Sequence, residues 1–357
     1  PALPSSVTSI VNDGYRVTDA QGQKVYGSPT VTKIAPPFAV SISPAAQTGG
    51  AQSGGSQTYT LTVKNLGYNT DSYHLSSTSG AFAVSFYDST CTTAQNTTAA
   101  LIAGASANVC VRVSVPAGTA DGTSETATIT ATSAGSPSVS ASATIKTIAV
   151  TVDTLLVDGD GNGPDVQSYY ANALTGAGIP FDVWDLAIDP AIPVKYMEAF
   201  KHIVWFTGNG YPGPIQPYEK RLTAYLDNGG HLFLSGHDIL DQAAGTTLFV
   251  KNYLHIDWDG SEDQNDKETA HVNGVAGTLT DGVGAVPLDH SILGAAFEDQ
   301  ITITAGAAIF TDDTGADDAL SFSGGYKVVF LAFPLEAYGT AAQKANLVTR
   351  VYTFFAA

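Results

Sequence analysis

An acidic loop near the middle of the chain has the spacing of a cation site. Asp158, Asp160 and Asn162 alternate with glycines, and Asp165 follows three residues later. The first half of a calcium loop presents oxygen side chains at this two-residue spacing. The twelfth position, where an EF-hand has a bidentate Glu, is Tyr169, so other acidic residues must complete the ligand set. On that condition, the loop predicts calcium as a cofactor.

Two further acidic clusters are candidates to complete the ligand set. The first contains Asp257, Asp259, Glu262 and Asp263, and the second contains Asp312, Asp313, Asp317 and Asp318. The alternative interpretation is that these acids only cap helices and solvate loops, with Asp165 or Ser168 near a helix N-terminus.

Polar side chains suited to nucleophilic catalysis occur later in the chain. Ser235 and His237 lie in the sequence LSGHD, and His290 and Glu336 follow downstream. A Ser at a strand-to-helix elbow with a nearby His is the starting point for a hydrolase. However, residues two apart in a tight elbow rarely face each other, and the G-x-S-x-G pattern is absent. The alternative is that these side chains are satisfied polar groups lining a crevice.

Residues 151–357 have the pattern of an α/β domain that would position these side chains. Apolar strand-like runs alternate with helix-like segments, and Gly-containing sequences end the predicted helices. This alternation predicts βαβ units and a doubly wound, mainly parallel, flavodoxin-like sheet, whose sites lie at the carboxyl ends of the strands. Residues 256–324 interrupt the alternation with Asp-rich loops and short strands.

Residues 38–150 predict an immunoglobulin-like β-sandwich. Seven short segments alternate apolar and polar residues, as in Tyr59, Leu61 and Val63, which is the pattern of strands with one buried face. The segments SPAAQ, GGSQTYTLTVKNLGYNTDSYHLS and LIAGASANVCVRVSVPAGTADGT resemble the Ig-like modules appended to secreted bacterial glycosidases and proteases. The fold class predicted for the chain is therefore multidomain, with an all-β domain before the α/β domain.

The two cysteines, Cys91 and Cys110, flank a turn-rich segment of the predicted sandwich. If the protein is secreted, we expect them to form a disulfide that stabilises the fold by roughly 3 kcal/mol. The alternative is two buried free thiols.

Residues 1–37 predict a separate β-hairpin. Its two strands, residues 7–18 and 24–34, flank a turn at Asp19, Gln21 and Gly22. The hairpin resembles the last two strands of a repeat domain in modular bacterial surface proteins. Because an isolated hairpin is marginal in water, it must pack on an upstream domain, on the neighbouring sandwich or on another copy of the chain.

Charge and hydropathy exclude several classes of partner. Residues 1–150 contain equal numbers of acids and bases, so the net charge of −18 belongs entirely to residues 151–357. This acidity argues against nucleic acid and anionic membranes as main partners. No run of 18 apolar residues or signal peptide is visible, and the chain begins at Pro1, so we expect a processed product or a segment of a longer protein.

The second half resembles a known family. The segments that carry the resemblance are LLVDGDGNGPDVQSYY, IPFDVWDL, HIVWFTGNGY, LTAYLDNGGHLFLSGHDI, DHSIL and VVFLAFPLEAY. They are similar to the class I glutamine amidotransferase-like domain at the C-terminal side of secreted bacterial subtilisin-like proteases. In active amidotransferases, a Cys nucleophile occupies the elbow, and a His-Pro-Glu sequence supplies the base and its orienting acid.

This chain departs from the amidotransferase pattern at both reactive positions. Leu234 stands where the Cys would be, Phe333 stands where the His would be, and Glu336 is displaced by one residue. Two apolar side chains cannot transfer a proton or form a covalent intermediate. The resemblance therefore implies the fold without amidotransferase activity.

Three functions are compatible with these patterns. The first is a non-catalytic modular segment of a secreted or cell-surface bacterial protein, with upstream domains of a larger parent chain as partners. The second is a structural subunit of an extracellular filament, in which the hairpin adds its strands to another copy. The third is a hydrolase that uses Ser235, His237 and Glu336.

Overall fold

The computed structural model describes residues 9–12, 16–28, 30–33, 36–78, 80–161, 163–237, 239–240, 247–258, 266–267, 269–292 and 298–357. The chain divides into two compact units, Pro1–Ala149 and Val150–Ala357. Within the described residues, no helix combines the length and hydropathy needed to cross a membrane.

The N-terminal segment forms a ribbon of two antiparallel strand pairs. Its strands are β1 (Ser9–Asn12), β2 (Arg16–Thr18), β3 (Lys24–Tyr26) and β4 (Thr30–Lys33). Strand β1 pairs with β4 and β2 with β3, both antiparallel. The Asp19 carboxylate closes the turn by accepting hydrogen bonds from the backbone N–H groups of Gln21 and Gln23. The predicted strand ends near Val7 and Ile34 lie outside the described residues.

The rest of the first unit is an Ig-like sandwich of two four-stranded sheets, ordered β5-β7-β10-β9 and β6-β12-β11-β8. The strands are β5 (Val40–Ser43), β6 (Ala46–Gln52), β7 (Ser56–Asn65), β8 (Tyr73–Thr78), β9 (Ala83–Tyr87), β10 (Ser106–Ser114), β11 (Ser124–Ser133) and β12 (Ser140–Val150). Alternate residues such as Leu61, Val111 and Ile129 are buried in one core, which confirms the predicted period of two.

The sandwich has one strand more than predicted. The sequence of β6, AQTGGAQ, is not among the seven predicted segments, and its Gly and Ala residues have low β propensity. It nevertheless forms an edge strand beside β12, with Gly49, Gly50 and Ala51 buried. Tertiary packing therefore overrides local propensity here.

The predicted disulfide is confirmed, and the free-thiol alternative is wrong. Cys91 and Cys110 are bonded with a Cα–Cα distance of 5.3 Å. Cys110 lies on β10 and is buried, while Cys91 lies in the loop after β9. The bond fixes this loop to the core sheet.

The second unit is built on a nine-stranded mixed sheet in the order β14-β13-β15-β16-β25-β24-β23-β19-β20. Its parallel strands are β13 (Thr154–Asp158), β14 (Asp182–Asp185), β15 (His202–Phe206), β16 (His231–Ser235) and β25 (Lys327–Leu331). Its antiparallel strands are β19 (His271–Gly274), β20 (Ala285–Pro287), β23 (Ala307–Thr311) and β24 (Asp317–Ser323). Two small ribbons pair β17 (Ile256–Asp257) with β22 (Thr302–Ile303), and β18 (Asp266–Lys267) with β21 (Glu298–Asp299).

Helices follow the parallel strands as predicted. They are α1 (Gln167–Gly176), α2 (Val194–Met197), α3 (Glu219–Asp227) and α4 (Ala341–Ala356), and Val250–Leu254 forms a short π-helix. Helices α1 and α4 share a core with one face of the sheet, which includes Val204 and Phe206. Trp205 faces the other side and contacts Tyr218, just before α3. The parallel strands are thus covered on both faces.

The segment 256–324 is more ordered than the sequence pattern suggests. We predicted loops and short strands, but β19, β20, β23 and β24 extend the parallel sheet in antiparallel fashion. The extension is anchored by β24, which pairs with β25 along five residues from Ala319 to Ser323. The sheet is therefore mixed and not mainly parallel.

Candidate functional site

The candidate site residues gather at one edge of the sheet. Asp158 is the last residue of β13, and Ser235 is the last residue of β16. Phe333 and Glu336 follow the end of β25. Because these strands are parallel, their carboxyl ends meet at the same edge, where open α/β sheets form their sites.

Ser235 is held by a buried hydrogen-bond network. Its Oγ donates to the carbonyl oxygen of Phe333 at 3.0 Å and accepts from the N–H of Leu335 at 2.8 Å. Tyr170 Oη lies 3.2 Å from the same Oγ and 2.6 Å from Glu336 Oε2. The network ties α1 and β16 to the segment after β25.

The protonation of Glu336 decides how the protons of this network are arranged. Burial raises the pKa of Glu336 to about 7, although its hydrogen bond with Tyr170 opposes the shift. A Tyr hydroxyl has one proton and cannot donate to two acceptors. Protonated Glu336 can donate to Tyr170, which then donates to Ser235, so every hydrogen is used. When Glu336 ionises, Tyr170 donates to its carboxylate instead.

The geometry separates Ser235 from His237. The Ser235 hydroxyl is already occupied by Tyr170, Phe333 and Leu335, and Ser235 is buried. The His237 ring instead faces Glu298, with Nε2 3.7 Å from Oε1. Ser235 and Glu336 therefore belong to one network, and His237 belongs to another.

His290 joins His237 at the same buried carboxylate. Its Nδ1 lies 3.2 Å from Glu298 Oε1, and its Nε2 lies 2.8 Å from the carbonyl oxygen of Thr269. Because that carbonyl only accepts, its hydrogen bond with His290 requires a hydrogen on Nε2. Glu298 was not predicted from the sequence. The one signal for it is that it directly follows the apolar run in GAAFEDQ.

Asp318 adds another buried carboxylate near Glu298. Burial and the neighbouring Asp312 and Glu298 raise the pKa of Asp318 to about 8. Asp312, in contrast, accepts hydrogen bonds from Thr314 and Gln300. These bonds outweigh burial and lower the pKa of Asp312. The second acidic cluster thus shapes a turn at Asp312 and holds a proton at Asp318.

The predicted cation loop brings three carboxylates together. One oxygen from each of Asp158, Asp160 and Asp165 lies within 4.8 Å of the others. Asp158 and Asp160 are buried, and Asp165 is exposed. Burial, followed by repulsion from Asp160, raises the pKa of Asp158 to about 7. Asn162 lies outside the described residues, as do Asp259, Glu262 and Asp263 of the first additional cluster.

Backbone pairing places these carboxylates at the crevice between β13 and β15. The N–H of Gly159 donates to the carbonyl oxygen of Phe206, at the end of β15. Asp160 packs against Gly208, where a Cβ atom would approach the Asp160 Cβ to 2.7 Å. Chain order along the sheet reverses between these two strands, which is the position where open α/β sheets bind ligands.

No protein-family model matches the chain, and no curated protein sequence does. Several solved structures resemble about a third of it. A PapD-like domain of human CEP192 is 18% identical over 33% of this chain and 88% of that one, with a TM-score of 0.24. The secreted serine protease VesC of Vibrio cholerae is 17% identical over 35% of this chain and 24% of its own, with a TM-score of 0.23. The E. coli chaperone DraB is 16% identical over 32% and 56%, with a TM-score of 0.23.

We predict that Glu336→Gln removes part of the pH dependence of stability. The pKa of Glu336 rises from 4.5 to about 7 on folding, so its contribution is present below about pH 4.5 and is lost as pH rises through about 7. The loss amounts to about 3 kcal/mol by pH 8. The Gln amide does not titrate and can donate to Tyr170 at every pH. The variant should therefore not lose this part of its stability as the pH rises.

Urea unfolding at pH 5 and pH 8 measures this difference between the variant and the natural protein. Asp281→Asn, at an exposed loop position, serves as the control and should keep the natural pH dependence. Because Asp158 and Asp318 also titrate, the free energy of unfolding still depends on pH in all three proteins. An identical slope in Glu336→Gln and the natural protein would contradict the assignment.

Proposed function

We propose that the chain is a non-catalytic modular segment of a secreted or cell-surface bacterial protein. The main support is the state of the reactive positions: Leu234 and Phe333 are fully buried apolar side chains. The adjacent Ser235 hydroxyl is used to join β16 to the segment after β25. This edge of the sheet therefore has the chemistry of a packed core, and among the described residues the Ser235 hydroxyl bonds to Tyr170, Phe333 and Leu335 and to no histidine.

We further propose that the second unit is flavodoxin-like and related to the class I amidotransferase domains. Its parallel strands have the chain order second, first, third, fourth and fifth, which is the flavodoxin-like order. The LSGHD sequence begins at the last two residues of the fourth of these strands, and FPLE follows the fifth. Both placements agree with the family pattern on which the resemblance depends.

An extracellular location and a larger parent chain complete this proposal. The Cys91–Cys110 disulfide supports export, because disulfides persist in oxidising compartments. We propose three modules, a hairpin at 1–37, an Ig-like spacer at 38–150 and an amidotransferase-like accessory domain at 151–357. Upstream domains of the parent would then supply the partner surface for the hairpin.

The purified chain should show no turnover of glutaminase, esterase or peptidase substrates above buffer, and Ser235→Ala should behave identically. Active enzymes of each class serve as positive controls for the assays. Turnover that is abolished by Ser235→Ala would overturn the proposal in favour of the hydrolase alternative.

We propose that calcium binds at Asp158, Asp160 and Asp165. Two of these carboxylates are buried side by side, and burial together with repulsion from Asp160 raises the pKa of Asp158 to about 7. A divalent cation with oxygen ligands would remove this repulsion.

Chelation should lower the melting temperature of the second unit. A ligand at about 100 times its dissociation constant stabilises the folded state by about 2.7 kcal/mol, which corresponds to roughly 5–10 °C for a domain of this size. Calorimetry in excess chelator, followed by added calcium, measures the change. The matched variant Asp165→Ala should melt at one temperature under both conditions. An unchanged curve for the natural protein in chelator would refute the site.

A second candidate function, a filament subunit, is favoured by the exposure of the hairpin. Val17, Val25 and Tyr26 are 55%, 66% and 68% exposed, although they are the apolar residues of strands β2 and β3. Val17 and Val25 are directly opposite and share one face of the ribbon. Addition of this ribbon to another copy would give head-to-tail contacts that do not close, and hence a fibre.

If the filament function is correct, the chain should self-associate at high concentration and Val25→Asp should abolish association. A charge on the shared apolar face would oppose packing against a second copy. Thr18→Asp, on the opposite face of the ribbon, is the control and should associate normally. Sedimentation velocity over a concentration series distinguishes the cases, and a strictly monomeric natural chain would eliminate the filament function.

A further inference from the structure

A cavity of about 350 Å³ lies between α1 and the start of α4. Its walls include Tyr169 and Asn172 of α1, Asp289 and Ile292 of the loop after β20, and Lys344 of α4. This volume is at the lower end of the range for small-molecule sites. The lining residues include neither Ser235 and Glu336 nor Asp158.

Lys344 is a buried cation in the wall of this cavity. The residue is 5% exposed, and its Nζ donates to the carbonyl oxygen of Gly339 at 2.9 Å. The ammonium also lies 5.5 Å from the centre of the Tyr169 ring. An ammonium has three N–H donors, and Gly339 is its only hydrogen-bond acceptor among the described residues. Buried donors in folded proteins are normally satisfied by protein or ordered water, so Lys344 has donors available for a ligand that displaces water from the cavity.

A carboxylate at the cavity mouth complements this cation. Hydrogen bonds from Ser291 lower the pKa of Asp289, with a smaller effect from Lys344, so Asp289 is ionised at neutral pH. Burial lowers the pKa of Lys344, while the nearby Glu336 and Asp289 oppose that shift. Yet no ion pair within 4.0 Å joins Lys344 and Asp289 among the described salt bridges. Opposite charges thus face one cavity without contact.

The remaining walls are suited to an apolar group and a negative charge. Ile292, Ala173 and Ala341 provide aliphatic surface, and Tyr169 provides a ring. Ala341 is also the first residue of the sixteen-residue helix α4, whose N-terminal end favours an anion. The anionic end of a ligand therefore belongs near Lys344, and its cationic end belongs near Asp289.

We propose that this cavity binds a free α-amino acid with an apolar side chain, its carboxylate on Lys344 and its ammonium on Asp289. The α-carboxylate and α-ammonium of such a molecule are held close together by covalent structure, so both charges can be paired in one small site. The side chain would lie against Ile292 and the Tyr169 ring. This binding requires no catalysis and is independent of the proposed function.

Isothermal titration with three matched probes tests the proposal. L-leucine carries both charges, N-acetyl-L-leucine lacks the cation, and L-leucinamide lacks the anion. We expect saturable binding of one L-leucine per chain and at least about tenfold weaker binding of each analogue, because charge-assisted hydrogen bonds are lost. Equal binding of N-acetyl-L-leucine would overturn the proposal in favour of a simple anion site. Absence of L-leucine binding at about 1 mM, the weak end of ligand affinities, would also overturn it.

Two variants assign the contacts. Asp289→Asn, at an exposed position, should weaken L-leucine by about tenfold and leave N-acetyl-L-leucine unchanged, so the preference between the two disappears. Lys344→Met should weaken both, and circular dichroism checks its fold because Lys344 also binds Gly339. Lys220→Met, on the exposed face of α3, is the charge-matched control and should bind like the natural protein. Unchanged discrimination in Asp289→Asn would refute the pairing even if Lys344→Met does not fold.

Discussion

At the edge of the sheet where the parallel strands end, more carboxylates are buried than can all remain ionised. Asp158, Glu298, Asp318 and Glu336 are all at most 2% exposed. An unpaired buried carboxylate is costly, so each must acquire a proton, a hydrogen-bond donor or a cation. Glu336 shares its proton with Tyr170, and Glu298 is contacted by two histidines. The architecture of this edge follows from how each group meets that requirement.

Buried apolar residues adjoin the polar groups around Ser235. Leu234 and Phe333 are fully buried, and the Ser235 hydroxyl links the end of β16 to the segment after β25. Tyr170 extends that link to α1 and stacks on Phe206, with ring centres 4.2 Å apart. The segment around Ser235, Phe333 and Glu336 is thus part of the buried core of the second unit.

The spacing of apolar residues, and the Gly residues that end the predicted helices, made much of the fold predictable. The period of two in β7, β10 and β11, and the alternation of strands and helices after residue 151, reflect burial patterns that local sequence records. Strand β6 and the antiparallel extension were not predictable, because Gly49 and Gly50 form a strand only through neighbours distant in sequence. Glu298 and Tyr170 were missed for the same reason: their partners, His237, His290 and Glu336, are brought to them only by the fold.

The acidic loop and the Ser235 network are electrostatically linked, although they use different side chains. Asp160 contributes to the raised pKa of Glu336, since its negative charge opposes ionisation of that carboxyl. A cation held by Asp158, Asp160 and Asp165 would cancel this repulsion and lower the pKa of Glu336. Glu336 would then ionise at lower pH. The Tyr170 hydroxyl would donate its hydrogen bond to the Glu336 carboxylate and no longer to Ser235. Cation binding at one end of the edge would therefore change which hydrogen bonds join α1 to β16 at the other.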